Sequence, residues 1–195
     1  MTTSVQATGD RVGAILRATC QVVVAEGAHE LRVSSVAERA GVSKALVHYY
    51  FSTRQELMRA AFAFAEDERE RALEAELEEL PSGAERVERA LLRAVDPEDG
   101  DTPALWNEVW SSLRSDPELR PLVQERYRAW TDRIVRLLFE GQADGSVPRE
   151  VEASPAGWRL AAAADGLESI LYLGLLDVAA ARALLSDAIA RELMP

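Results

Sequence analysis

Residues 41–51, Gly-Val-Ser-Lys-Ala-Leu-Val-His-Tyr-Tyr-Phe, gather the chain's only lysine, one of its two histidines and two adjacent tyrosines. A lysine ammonium reaches a phosphate oxygen or a guanine edge, and histidine and tyrosine donate hydrogen bonds to phosphates or bases. Catalysis has no comparable constellation. His29 and His48 are far apart, Cys20 is the only cysteine, and no glycine-rich phosphate loop is present, so neither a nucleophile nor a metal or cofactor site is expected. Acid pairs such as Asp165 with Glu168 arise routinely on helical surfaces, which leaves an enzyme as a distant alternative.

Positioning these side chains requires two short helices, Ser34 to Ala40 and Lys44 to Tyr50, joined by Gly-Val-Ser. Together, at about residues 32–51, they have the form of a helix-turn-helix, whose second helix can enter a major groove. Gly41 allows the left-handed backbone that ends the first helix. Ser43 can cap the second, and its hydroxyl with the exposed amides also suits a phosphate oxygen. Helical spacing turns Val47, Tyr50 and Phe51 inward and leaves Lys44, Ala45, Leu46, His48 and Tyr49 for the groove. Leu46 can offer apolar contact to a thymine methyl. Arg54, at the start of the next helix, is placed for another phosphate, and Thr53 with Glu56 forms the pattern of a capping box.

The 195-residue chain is 48% hydrophobic, long enough for a substantial core. Apolar residues recur near every 3.6 positions almost throughout, and no β-branched stretch alternates long enough for a sheet. An all-α fold of about nine helices is expected, with breaks at Gly27, Gly41, Ser52, Pro81 to Gly83, Pro97 to Pro103, Asp116 with Pro117, Gly141 to Pro148, and Ser154 with Pro155. The first helix spans about Asp10 to Glu26 and the fourth Arg54 to about Leu80; the last two span Pro155 to Leu176 and Val178 to Leu193. A net charge of -11 argues against a protein that coats nucleic acid generally. The acid is unevenly placed, however: residues 1–58 carry net +1 and residues 59–195 net -12. The run Glu-Asp-Glu-Arg-Glu-Arg-Ala-Leu-Glu-Ala-Glu-Leu-Glu-Glu reads as a solvated helix face. Lone Cys20, the absence of a secretory pattern at the start and the interrupted apolar run at residues 161–176 all fit a cytoplasmic protein with no membrane partner.

The stretch Val-Ser-Ser-Val-Ala-Glu-Arg-Ala-Gly-Val-Ser-Lys-Ala-Leu-Val-His-Tyr-Tyr-Phe-Ser-Thr-Arg-Gln-Glu-Leu, preceded by Arg-Val-Gly-Ala-Ile-Leu-Arg-Ala-Thr-Cys, resembles the DNA-binding domain of TetR-family transcriptional regulators. The ordered elements are Ile15-Leu16, Gly27, Val36-Ala37, Ala40 to Ser43, Tyr50-Phe51 and Glu56-Leu57. The resemblance implies a helix-turn-helix domain over residues 8–68 and a helical ligand-binding and dimerisation domain over 69–195. It also implies that Ser43, Lys44, Ala45, His48, Tyr49 and Arg54 face DNA. Three departures stand out, one of them Leu46, which is bulkier and more apolar than the residues common at that position. Arg32 occupies a position where the family usually has Thr or Ser, so that the helix is expected either to be capped by Ser34 or to start unevenly, and the His48-Tyr49 order reverses a common family pair.

The second region, from Pro103 through Pro148, resembles the subclass with a betaine-regulator-like C-terminal domain. Trp106 and Trp110 are four apart, as are Trp130 and Ile134, and Tyr127 lies one turn before Trp130; such rings can line a small-molecule pocket or face a cation, or simply form core. Trp158, Ala162, Asp165, Ser169 and Tyr172 share one side of the following helix, and Asp165, Ser169 and Tyr172 join the aromatic residues as candidate ligand contacts. In the final helix Leu184, Leu185, Ala188 and Ile189 fall on one stripe and are candidates for a dimer interface. The resemblance thus implies a homodimeric regulator, more in keeping with a repressor than an activator, with double-stranded operator DNA and a small-molecule effector as partners. A helical adaptor that has lost DNA binding is the alternative.

Overall fold

The computed structural model describes residues 2–96 and 102–193, and all regular structure among them is helical. Nine α-helices follow in order: α1 Thr2–Glu26, α2 Val33–Arg39, α3 Lys44–Tyr50, α4 Arg54–Glu78, α5 Gly83–Leu92, α6 Thr102–Ser112, α7 Leu119–Asp144, α8 Ala153–Tyr172 and α9 Val178–Leu193. Short 3-10 turns occupy Ala28–Glu30 and Arg93–Val95. The all-α expectation holds, and α9 has the expected limits.

Several boundaries differ from the sequence expectation for identifiable reasons. α1 begins at Thr2 rather than near Asp10, because a single Gly9 inside a helix costs only about 1 kcal/mol relative to Ala and nothing caps the chain at Asp10. α2 begins at Val33 with Arg32 as its N-cap and no side-chain cap, so Ser34 lies inside the helix. α8 begins at Ala153, ahead of the expected break: Pro155 falls in its first turn, where the missing N–H breaks no intrahelical bond. It ends at Tyr172 rather than Leu176. Gly174, at φ 68, completes a Schellman closure with Gly174 N–H to Leu171 C=O at 2.9 Å and Leu175 N–H to Ile170 C=O at 3.2 Å. The break expected at Pro97 to Pro103 lies largely outside the described residues.

The chain forms two compact units, Met1–Arg69 with Ala104–Val123 and Glu70–Pro103 with Gln124–Pro195. In the first, Ile15, Val22 and Val23 of α1, Val36 of α2, Val47 of α3, Leu57 and Phe62 of α4, and Leu105 and Val109 of α6 share one buried core. In the second, Leu73 and Leu77 of α4, Val87 and Leu91 of α5, Ile134 and Leu138 of α7, Leu160 of α8 and Leu185 of α9 form the other.

The acidic run in α4 is more than a solvated face. Within the first unit Glu66 is buried and accepts the Trp106 indole N–H at 3.0 Å. Within the second, buried Arg133 bridges Glu70 and Glu74, and Glu76 pairs with Arg89 and Arg93. These partners come from α5, the 3-10 turn after it, α6 and α7, so reading α4 alone does not disclose them.

A tight joint in the second unit fixes the start of α5. Gly83 lies so close to α7 that an added Cβ would stand 2.2 Å from the Gly141 nitrogen and 2.4 Å from its Cα. The first amides of α5 find acceptors nearby: Gly83 N–H on Asp144 at 2.7 Å, Ala84 N–H on the Ser146 hydroxyl at 3.0 Å, and Glu85 N–H on Ser82 Oγ at 3.3 Å. The Ser146 side chain, the Gly83 amide and the Ser146 amide, together with nearby Arg86, hold the Asp144 carboxyl below the usual carboxylate range. Gly83→Ala is expected to lower stability by about 1–3 kcal/mol in chemical denaturation, since backbone rather than a flexible side chain must yield. Asp144→Asn should be less stable than the wild type at pH 7. Because the folded-state value is depressed, that difference should be constant above the ordinary carboxylate range and shrink as pH falls through it.

Candidate nucleic-acid interface and aromatic site

The turn between α2 and α3 is built from backbone bonds that only a left-handed residue permits. Gly41 has φ 65, and Val42 N–H reaches Ala37 C=O at 2.9 Å while Gly41 N–H reaches Glu38 C=O at 3.2 Å. This closure ends α2 one residue after Arg39 and redirects the chain. Ser43, in extended backbone, then starts α3 by accepting the Leu46 N–H on Oγ at 3.2 Å, and its hydroxyl proton remains available to an acceptor.

α3 separates anchoring from display. Val47 is fully buried and Phe51, just after the helix, is nearly so, while Tyr50 is half-buried against the same core. The remaining side faces outward: Ser43, Lys44, Ala45, His48 and Tyr49 are exposed, and Leu46 is half-buried. Tyr49 is 79% exposed, with its ring edge-on to Tyr50 at a centroid distance of 5.1 Å, so its protruding phenol is supported from behind. This outward face of donors and small or apolar groups has the dimensions and chemistry to enter a major groove.

The next helix is fixed by its own cap. Thr53 Oγ1 accepts the Glu56 N–H at 3.0 Å, and the Glu56 carboxylate returns to the Ser52 N–H at 2.8 Å rather than to that of Thr53. Arg54 is exposed, but its Nη1 donates to the His29 carbonyl at 2.7 Å; its other guanidinium N–H groups would be the ones to meet a phosphate.

The aromatic candidates divide between the units. In the first, the Trp106 ring meets Phe62 edge-on at 4.8 Å, and Trp110, half-exposed, tilts beside Trp106 at 5.7 Å. In the second, Tyr127 stands among Trp130 at 5.8 Å, nearly perpendicular, and Trp158 at 6.3 Å, tilted by 33°. The Tyr127 phenol donates to the Asp165 carboxylate across α7 and α8. Burial, then that hydrogen bond and the Asp165 charge, push the Tyr127 phenol well above its ordinary range, so it holds its proton further into alkaline pH than a free phenol. Ser169 and Tyr172 are exposed further along α8, with the Ser169 hydroxyl donating to the Asp165 carbonyl at 3.0 Å. Trp158 belongs with this cluster although the sequence candidates omit it. Its position seven residues before Asp165, on the same helix side, was the available signal.

The α9 stripe also divides. Leu185 and Ile189 are buried in the second unit's core, while Leu184 is half-exposed and Ala188 is only partly covered.

Comparison with known proteins gives matches along most of the chain. Residues 15–61 match the family model for bacterial regulatory proteins of the tetR family, and residues 83–194 match the model for the C-terminal part of BetI-type transcriptional repressors. The HTH-type transcriptional regulator BetI of Escherichia coli (strain K12) is 27% identical over 157 residues, covering 78% of this chain and 77% of that protein. Among solved structures, a TetR-family transcriptional regulator from Rhodococcus sp. has a TM-score of 0.83 at 30% identity, covering 95% of this chain and 99% of the other. A transcriptional regulator from Saccharomonospora viridis, in complex with choline, has a TM-score of 0.82 at 27% identity, covering 93% and 96%.

Anchoring and display should separate in the laboratory. Val47→Ala is expected to lower unfolding free energy by about 2 kcal/mol by emptying a buried site, whereas Lys44→Ala should leave it within about 0.5 kcal/mol. The raised Tyr127 value means that folding stability falls as pH rises above 10.0, because the unfolded phenol ionises first. Tyr127→Phe should flatten that alkaline loss in a series of urea titrations.

Proposed function

Because the chain belongs to the TetR family of transcriptional regulators and has that family's BetI-type C-terminal domain, we propose that it is a dimeric repressor released from double-stranded operator DNA by a small cationic ligand. The observation that carries the DNA half is the division of α3, with Val47 and Phe51 holding it while Lys44, Ala45, His48 and Tyr49 stand exposed. Ser43, Leu46 and Arg54 complete the proposed contact set, with Lys44 on a phosphate or guanine edge and Leu46 toward a thymine methyl. A two-fold dimer presents two such helices to half-sites on one face of the duplex. Leu184 and Ala188 of α9, with exposed Tyr172, Leu173 and Leu175 at the end of α8, are the apolar surface assigned to the second copy. This role makes the protein cytoplasmic; among the described residues no helix is long and apolar enough to cross a membrane.

The ligand is assigned to Tyr127, Trp130, Trp158 and Asp165. Ring faces set at different angles attract a cation whose charge is spread over methyl groups, and a carboxylate adds a compensating charge. The choline held by the Saccharomonospora viridis neighbour has this chemistry. Release requires only that the ligand bind one arrangement of the dimer better than the DNA-competent one.

Duplexes selected from a random pool by the wild-type chain supply the test, read by fluorescence anisotropy. Lys44→Ala should weaken binding and reduce the dependence of log affinity on log salt by about 1. Choline should lower operator affinity of the wild type, and Trp158→Ala should retain DNA binding but lose that response. Operator occupancy unaffected by Lys44→Ala and His48→Ala would favour the adaptor; no response to choline would remove the cationic ligand.

A further inference from the structure

Residues Ala104–Val123 fall within the C-terminal family match, yet they share the first unit with the helix-turn-helix. Their polar contacts reach α4 and the 3-10 turn Ala28–Glu30, which lies ahead of α2. Gly27, at φ 90, precedes the turn, and the Ala28 N–H donates to the Glu108 carboxylate of α6 at 2.7 Å. From the other side Arg54 of α4 holds the His29 carbonyl at 2.7 Å. Five residues along α4, Arg59 is gripped by both carboxylate oxygens of Asp116 at 2.8 and 2.9 Å and by Glu118 at 2.9 Å.

Between these ties lies a small, partly open pocket. A cavity of about 90 Å³ is walled by Leu31 after the turn, Gln55 and Met58 of α4, and Ser112, Ser115 and Leu119 of the α6–α7 region. Ala28 and Leu31 bury the turn in the core shared with α4 and α6, and the directional polar bonds fix its orientation on that core.

We propose that Glu108 and Asp116 are positioning residues for operator reading, setting the stance of α2 and α3 without touching DNA. The inference rests on the DNA-binding assignment made above. Glu108 holds the entry to α2 through a backbone amide, and Asp116 holds α4 through Arg59, so the pair fixes both ends of the segment that contains the recognition helix. Sequence-specific contact requires that helix to meet base edges in register, whereas nonspecific binding requires only positive groups near phosphates. Loss of the ties should thus affect specific binding selectively.

The full-length chain, the selected operator duplex and a scrambled duplex of equal length provide the test. Glu108→Ala is expected to weaken operator binding by about tenfold, the equivalent of one charge-assisted hydrogen bond, while leaving scrambled-duplex binding unchanged. Glu108→Gln keeps an oxygen acceptor for the Ala28 amide and should restore most of the loss. Asp116→Asn, a second variant that retains shape, should also reduce operator binding selectively, and decides the matter if Glu108→Ala does not fold. Operator affinity unchanged in both Glu108→Ala and Asp116→Asn overturns the proposal, as does an equal loss on both duplexes that Glu108→Gln does not repair. Failure of the wild type to prefer any duplex overturns the DNA assignment and this inference together.

Discussion

A seven-residue helix has no independent stability in water, because the entropy of fixing its first turn exceeds the return from so few hydrogen bonds. α3 exists because Val47 is locked into the first unit's core, Phe51 closes its end, Ser43 caps its start and the Gly41 turn aims it. All the chemistry assigned to Lys44, His48 and Tyr49 depends on those anchors. Since the anchors occupy one side, Lys44 and His48 are left exposed outside the core. The core that holds Val47 includes residues from α1, α2, α4 and α6, so a helix remote in sequence helps sustain the reading surface.

Charge is organised to the same end. A chain with net charge -11 would repel DNA if its acid were spread over the recognition face. Instead the acidic residues concentrate after residue 58, and several in α4 are held by arginines: Glu70 and Glu74 by Arg133, Glu76 by Arg89 and Arg93. Arg133 is buried, where an unpaired guanidinium would be costly, and its two carboxylates make that burial tolerable. The exposed Lys44 has no carboxylate in contact among the described residues, so its charge is available outward.

How legible the molecule was in its sequence depended on whether the decisive partner was local. Gly41, Ser43, Val47 and the Thr53–Glu56 cap act over three to five residues, and helical spacing with turn chemistry identifies them. Arg32 was harder: it starts α2 without a side-chain cap because Val36 and Ala37, buried in the core, hold the helix in place. Leu185 and Ile189 share a stripe with Leu184 and Ala188, yet only contact with α8 and the rest of the second core distinguishes inward from outward. Trp106 and Tyr127 looked equivalent as helical aromatics; one is fixed by Phe62 and Glu66, the other by Trp130, Trp158 and Asp165.

The sequence by itself determined the helical class, the helix-turn-helix and the side chains that α3 has to offer, since these follow from backbone conformations and periodicities spanning a few residues. Tertiary structure alone decided that Glu108 caps the turn ahead of α2, that Arg54 is shared with the His29 carbonyl, and that Trp158 joins Tyr127. Each of those contacts joins residues 25 to 80 positions apart, and a periodicity of 3.6 carries no information about which distant helix will supply the partner.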